Sequence, residues 1–137
     1  MIGILVVTHG PLGDNLIAAV EHVLGTPPQH VEALDVSSRS DPKDTETSIS
    51  NRMRALDQGD GVLVLTDIYG ATPSNCMCRA LQPGHAAGVS GVNLPMLLKA
   101  LTYRQLPLGD LAARAAAGGQ EGISVINQEM CDATAGH

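Results

Sequence analysis

The sequence predicts a single-domain α/β protein, an open and mainly parallel β-sheet with helices on both faces. A chain of 137 residues fits one domain with a real core. Continuous apolar runs, such as residues 2–7, are typical of strands that are buried on both faces. Segments with helical periodicity separate these runs, and alternation of strands and helices favours a parallel sheet.

The first half of the chain contains three predicted strands and two predicted helices. The strands are residues 2–7, 31–36 and 62–66. The first helix starts near Asp14, has an apolar stripe and ends at the turn 25–28. Asp41 is the predicted N-cap of the second helix, with Pro42 at its first position. The buried stripe of that helix consists of Ile49, Met53 and Leu56.

The second half continues the alternation. A loop over residues 67–75 opens into a third helix, and residues 86–92 form a fourth strand weakened by glycine. Asn93 caps the next helix, and Pro107 starts a short one that Gly118-Gly119 is expected to stop. Residues 123–126 are predicted to form a last short strand, antiparallel at an edge because its spacing differs. Residues 128–137 are predicted to be a flexible tail.

Composition excludes several classes of protein. A net charge of −6 without a cluster of Lys or Arg argues against nucleic-acid binding. No run approaches the ~20 apolar residues of a membrane helix, and the N-terminal run of about six is too short for a signal peptide. Cys76, Cys78 and Cys131 have no metal-ligand spacing, so buried free thiols are expected rather than a zinc site or a disulfide. We therefore expect a cytoplasmic protein that does not insert into the membrane.

Two predicted strands end in residues that are typical of sites. His9 follows the first strand, and Asp67 follows the third. Ligands of open α/β sheets bind beyond the carboxyl ends of the strands. In the flavodoxin-like strand order 2-1-3-4, strands one and three are neighbours, so His9 and Asp67 would meet at one rim. Gly10 would let the backbone approach a ligand, and two hydroxyls, those of Thr72 and Ser74, follow Asp67.

These residue types suit a phosphoryl group carried on imidazole. A carboxylate that accepts a hydrogen bond from one ring nitrogen leaves the lone pair of the other nitrogen as nucleophile. Hydroxyls and the N–H groups of helix N-termini would hold the phosphoryl oxygens. The pattern alone does not separate phosphoryl transfer from other uses of His and Asp. Neither a P-loop nor a dinucleotide fingerprint is found, so no nucleotide cofactor is expected.

Four motifs carry a family resemblance. In order and at similar separations, GILVVTHGPLGDNL, GVLVLTDIYGATPSN, GVNLPMLLKAL and GGQEGI resemble the IIA component of mannose-family (mannose/fructose/sorbose) sugar phosphotransferase systems. The resemblance covers about residues 2–127, so that residues 1–127 would form a single IIA-type phosphocarrier domain. It implies that His9 accepts a phosphoryl group from HPr, a small phosphohistidine protein, and passes it to a IIB component that phosphorylates the sugar.

The same resemblance implies further roles. Asp67 would orient the active histidine and balance its charge, and Thr72 would be the hydroxyl of the phosphoryl site. No metal or other cofactor is implied. Family members are homodimers whose last strand, here around residues 123–126, can be exchanged between subunits.

Two alternatives stay open from the sequence. One is a stand-alone regulatory phosphocarrier whose phosphorylation state is read by partner proteins. The other is a small tetrapyrrole metal chelatase, which also places a histidine after its first strand but needs a second metal-ligating residue at another strand end. The remaining histidines, His22, His30, His85 and His137, are expected to have no catalytic role.

Overall fold

The computed structural model describes residues 1–36, 41–68, 78 and 84–135. Within these residues, four parallel strands form one sheet in the order β2-β1-β3-β4. The strands are β1 (Gly3–Thr8), β2 (Val31–Asp35), β3 (Val62–Thr66) and β4 (Ala86–Ser90). This arrangement confirms the predicted α/β class and the strand order 2-1-3-4.

Five helices lie within the described residues. They are α1 (Leu12–Leu24), α2 (Pro42–Leu56), α3 (Leu94–Thr102), α4 (Leu108–Glu121) and α5 (Gln128–Ala135). Both predicted caps are present, because the Asp41 side chain accepts from the Lys43 N–H and the Asn93 side chain accepts from the Met96 N–H, each at 2.9 Å. The third helix of the sequence prediction, after the loop 67–75, lies outside the described residues except for Cys78, which is helical.

The sheet is covered on both faces, as predicted. Alternate residues of the central strands enter two separate cores. Ile4 and Val6 pack on the face covered by α1, α3 and α4, whereas Leu5 and Val7 pack on the face covered by α2. Each of these side chains is fully buried, which contributes about 1.5–3 kcal/mol per side chain. The well-packed central strands therefore give a firm support to the residues that follow β1 and β3.

The predicted last strand is absent from the described chain, so the prediction of an antiparallel edge strand was wrong. Residues 123–127 pair with no strand of the described residues. Their apolar side chains are exposed, with Ile123 at 74%, Val125 at 86% and Ile126 at 72%. The apolar pattern indicates a need for burial, but a strand also requires a hydrogen-bonding neighbour, and no described residue provides one beside this segment.

Helix α4 also differs from its prediction, because it continues past Gly118-Gly119 to Glu121. The two glycines allow close packing of α4 against α3. A Cβ atom at Gly118 would lie 2.7 Å from Cβ of Lys99, and one at Gly119 would lie 2.8 Å from Cε of Met96. The glycines therefore serve a helix–helix contact rather than a helix end.

The tail predicted to be flexible contains helix α5. Its start is capped by the Asn127 side chain, which accepts from the Met130 N–H at 2.8 Å. The short polar sequence carries little helical periodicity, which explains why the helix was not predicted. The mobility of residues 128–137 stays a prediction.

The cysteines differ from their prediction as well. Cys78 and Cys131 are free thiols but are exposed, so the expectation of buried thiols was wrong for both. Within the described ranges, no three His, Cys, Asp or Glu side chains are placed to hold a metal ion. None of the described helices is long and apolar enough to cross a membrane.

Candidate active site

The candidate site lies at the carboxyl edge of the sheet, where β1 and β3 end side by side. The two strands are parallel, and Val7 is in register with Thr66. The next residues to leave the edge, His9 and Asp67, therefore emerge together. The structure brings these two predicted site residues into direct contact.

His9 makes two contacts with one carboxylate oxygen. Its backbone N–H donates to Oδ2 of Asp67 at 3.1 Å, and its ring Nδ1 lies 2.9 Å from the same oxygen. The His9 side chain is 47% exposed, whereas that of Asp67 is only 11% exposed. The carboxylate is thus held inside the edge of the sheet, and the imidazole extends from it towards solvent.

The environment of Asp67 favours its ionised form. Partial burial raises the pKa of the Asp67 carboxyl. Hydrogen bonds from the His9 ring, from the His9 backbone and from the Ile68 N–H lower that pKa, and their effect is the larger one. The net result is a pKa below the ordinary value of an aspartate. Ile68 donates to Oδ1 at 3.0 Å, so both carboxylate oxygens have partners.

The ionised carboxylate decides which ring nitrogen of His9 carries the proton. A carboxylate can only accept hydrogen bonds, so the Nδ1 atom facing it must be the donor. In the neutral imidazole the lone pair then lies on Nε2. This arrangement can do two things chemically, because Nε2 can act as a nucleophile and Asp67 can balance a positive charge that develops on the ring.

The turn after His9 leads directly into helix α1. Gly10 has a positive φ of 60°, and among the described residues no atom outside its immediate neighbours would lie within 4 Å of a Cβ there. Pro11 is the N-cap residue of α1. The helix therefore begins three residues after His9, and its N-terminal end favours anions.

Of the other predicted site residues, Thr72 and Ser74 lie outside the described residues. Two residues at the edge were missed by the sequence analysis. Thr8 and Thr66 are fully buried, and their hydroxyls bond to the Gly13 N–H (2.9 Å) and to Oδ1 of Asp67 (3.5 Å). A usable signal was present, since both are polar residues that end an otherwise apolar strand.

Comparisons with known proteins agree with one another. A family model described as EIIA-man, PTS system fructose IIA component, matches residues 3–116. The mannose-specific EIIAB component of the PTS system from Escherichia coli K12 is 28% identical over 137 residues, which cover 98% of this chain and 42% of that protein. The chain therefore spans less than half the length of the curated relatives that it matches.

Solved structures show the same relationship. The phosphotransferase system component EIIA from Streptococcus agalactiae is similar with a TM-score of 0.80 and 25% identity, covering 91% of this chain and 97% of that one. A mannose/sorbose-specific IIA subunit from Enterococcus faecalis has a TM-score of 0.80 at 20% identity, over 92% of this chain and 95% of that one, which shows the fold. Because the family model matches most of the sequence, the chain belongs to the EIIA-man family of phosphotransferase system IIA components.

Proposed function

We propose that this chain is a phosphohistidine carrier of a sugar phosphotransferase system. In this proposal, His9 accepts a phosphoryl group from phospho-HPr and passes it to a IIB component for sugar uptake, in the cytoplasm. The observation that carries the proposal is the 2.9 Å contact between Nδ1 of His9 and the Asp67 carboxylate, because it leaves Nε2 as the nucleophile. Membership of the EIIA-man family supports the same reaction class.

The transfer step balances with the residues of this site. The Nε2 lone pair of His9 forms a bond to phosphorus, while the P–N bond of the donor phosphohistidine breaks and its electron pair returns to the donor nitrogen. The proton stays on Nδ1, so the phosphorylated ring is positively charged and faces the Asp67 carboxylate. Transfer to the IIB acceptor reverses these bond changes. No step needs a metal ion or a nucleotide.

The phosphoryl oxygens also need partners during transfer, since such reactions depend mainly on positioning and charge stabilisation. We assign this role to the backbone at Gly10, to Thr72 and to Ser74. The left-handed conformation of Gly10 and the adjacent start of α1 support the first assignment. The assignments of Thr72 and Ser74 rest on the sequence and on the family resemblance.

We further propose that the protein works as a homodimer. The apolar segment 123–126 supports this, because three large side chains within four residues are more than 70% exposed in the single chain. A second copy that covers this segment would bury them. Sedimentation velocity should give a dimer for the native chain and a monomer for Val125→Asp. A monomeric native chain would contradict the proposal.

The test of the carrier function is phosphorylation in a reconstituted system. Incubation with enzyme I, HPr and phosphoenolpyruvate should add one phosphoryl group, a mass gain of about 80 Da. His9→Gln should abolish the gain. The matched control is His85→Gln, because His85 also lies near an aspartate but at the opposite edge of the sheet, and it should be phosphorylated normally.

The second half of the reaction is tested with the phosphorylated protein. Addition of a IIB component should remove the added mass, and the phosphoryl group should appear on IIB. Retention of the group by the native protein would contradict transfer to IIB. Phosphorylation of His9→Gln at the native rate would remove His9 from the site.

A further inference from the structure

The buried hydroxyl of Thr8 has a specific partner beside the candidate site. Thr8 ends β1, directly before His9, and is completely buried. A buried hydroxyl is costly unless it is hydrogen-bonded, and Oγ1 of Thr8 accepts the Gly13 N–H at 2.9 Å. This bond joins the end of the strand to the first turn of α1 and closes the turn that carries His9.

Helix α1 needs this bond because its own N-cap residue cannot supply one. The first N–H groups of a helix require acceptors from outside the helix, and a Ser, Thr, Asp or Asn at the N-cap position usually provides one. The N-cap residue here is Pro11, which makes no side-chain capping bond. Thr8 provides the acceptor from the strand instead, three residues before the N-cap.

Gly13 makes the short distance possible. A Cβ atom at Gly13 would lie 3.1 Å from Cβ of Ala33, and 3.3 Å both from Oγ1 of Thr8 and from Cγ1 of Val6. The start of α1 is therefore pressed against the sheet, and the Thr8–Gly13 bond lies in a packed interior. The two ends of the turn, at Thr8 and Gly13, are therefore held in close contact.

That backbone sets the position of the imidazole. His9 binds Oδ2 of Asp67 through both its backbone N–H and its ring, so the ring contact depends on where the backbone lies. We propose that Thr8 is a positioning residue, whose hydroxyl fixes the turn so that His9 keeps its Nδ1–H bonded to Asp67 and its Nε2 lone pair exposed for transfer. The effect on transfer rests on the proposed carrier function, but the effect on the ring does not.

The experiment compares substitutions that keep or remove the hydroxyl. Thr8→Val preserves the side-chain shape and removes the acceptor, and Thr8→Ser retains it. Thr45→Val is the matched control, because Thr45 is also buried and its hydroxyl donates to the Asp41 carbonyl at the start of α2, a bond that involves neither His9 nor Asp67. Each variant is examined by ¹⁵N NMR of the histidine rings at pH about 8.5, where an ordinary histidine is neutral. The His9 signals are assigned by their loss in His9→Gln.

The native protein and Thr8→Ser should show the Nδ1–H tautomer of His9. In Thr8→Val the two ¹⁵N shifts should move towards each other, as in a free imidazole, and the rate of phosphoryl acceptance should fall about tenfold or more. Thr45→Val should lose stability but keep the native tautomer and the native rate. A purely structural role of Thr8 would make the two valine variants behave alike.

The native tautomer and rate in Thr8→Val would overturn the proposal, even with reduced stability. If Thr8→Val does not fold, Thr8→Cys decides, because its weaker acceptor should give an intermediate tautomer mixture, and a native tautomer there would overturn the proposal too. If the native protein is never phosphorylated but the tautomer still shifts in Thr8→Val, the carrier function fails and the positioning role stands. If phosphorylation occurs and the tautomer does not shift, the carrier function stands and the positioning role fails.

Discussion

Each end of the sheet carries a histidine next to an aspartate, but the two pairs are built differently. At the carboxyl edge, His9 and Asp67 are 2.9 Å apart, and the aspartate side chain is 11% exposed. At the amino edge, His85 and Asp57 are 4.0 Å apart, and the histidine side chain is 72% exposed. The same two residue types thus form a close hydrogen-bonded contact in one region and only a 4.0 Å approach in the other.

The difference comes from what else each aspartate binds. Asp57 is the C-cap residue of α2, and its Oδ1 accepts the N–H groups of Gly59 (2.8 Å) and Gly61 (3.1 Å). Its carboxylate therefore organises a turn, and His85 adds only a distant charge. Asp67 instead receives the backbone N–H and the ring of His9 on one oxygen. The carboxylate of Asp67 can therefore orient its histidine, whereas that of Asp57 is oriented by the turn.

The amino edge is closed by a buried arginine rather than by a histidine. Arg104 is 8% exposed, and its guanidinium donates to the backbone carbonyls of Ile2, Gln29 and His30. Burial lowers the pKa of Arg104, but a guanidinium keeps its charge in proteins. This region therefore uses its buried charge to hold three chain segments together, whereas the carboxyl edge leaves its imidazole accessible.

The largest expected effect is the loss of stability when Arg104 is replaced. Arg104→Met removes four hydrogen bonds between a buried charged donor and backbone carbonyls, so it should lower the free energy of unfolding by about 3 kcal/mol. Urea denaturation measures the loss. The exposed Arg54→Met on α2 is the control and should change stability by less than about 0.5 kcal/mol. A loss of the same size in both variants would show that Arg104 does not close the amino edge.

The two regions also differ in how far the sequence predicted them. The sheet, its strand order and the meeting of His9 with Asp67 could be predicted, because apolar runs mark the strands and the carboxyl ends of neighbouring parallel strands lie at the same edge of a sheet. The arginine closure could not, because Arg104 contacts residues about 75 and 102 positions away and has no local pattern. The apolar segment 123–126 was misread for a related reason, since its composition indicates burial but not by which neighbour.

The second-largest expected effect is on the rate of phosphoryl acceptance, and it should distinguish Asp67 from Asp57. Asp67→Asn keeps an acceptor for the His9 ring but removes the charge that balances a phosphorylated imidazole, so phosphoryl acceptance should fall about 10–100-fold. Asp57→Asn keeps the Oδ1 acceptor for Gly59 and Gly61 and should leave the rate unchanged. Rates with phospho-HPr, followed by intact-protein mass, measure both. Equal rates in the two variants would remove Asp67 from the proposed site.

The smallest effect is a difference in acid sensitivity. Both aspartates have a lowered pKa, so each stabilises the fold above the unfolded value of about 3.9 and loses that contribution as the pH falls through its folded pKa. For Asp67, partial burial opposes the lowering, and the His9 ring is the largest favourable cause. For Asp57, the main causes are the N–H groups of Gly59 and Gly61, and His85 contributes least.

The two histidines should therefore differ in their influence on acid unfolding. An ordinary histidine is already charged between pH about 5 and 3. Over this range the free energy of unfolding of the native protein should fall more than that of Asp67→Asn, and also more than that of Asp57→Asn. These two excess losses are the Asp67 difference and the Asp57 difference. In a His9→Gln background the Asp67 difference should shrink, because the carboxylate loses the imidazole and keeps the bonds from the backbone N–H groups of residue 9 and Ile68. With His85→Gln as the background, the Asp57 difference should persist. If both backgrounds reduced their differences equally, the two pairs would be coupled to the same degree, and the contrast between the edges of the sheet would be wrong.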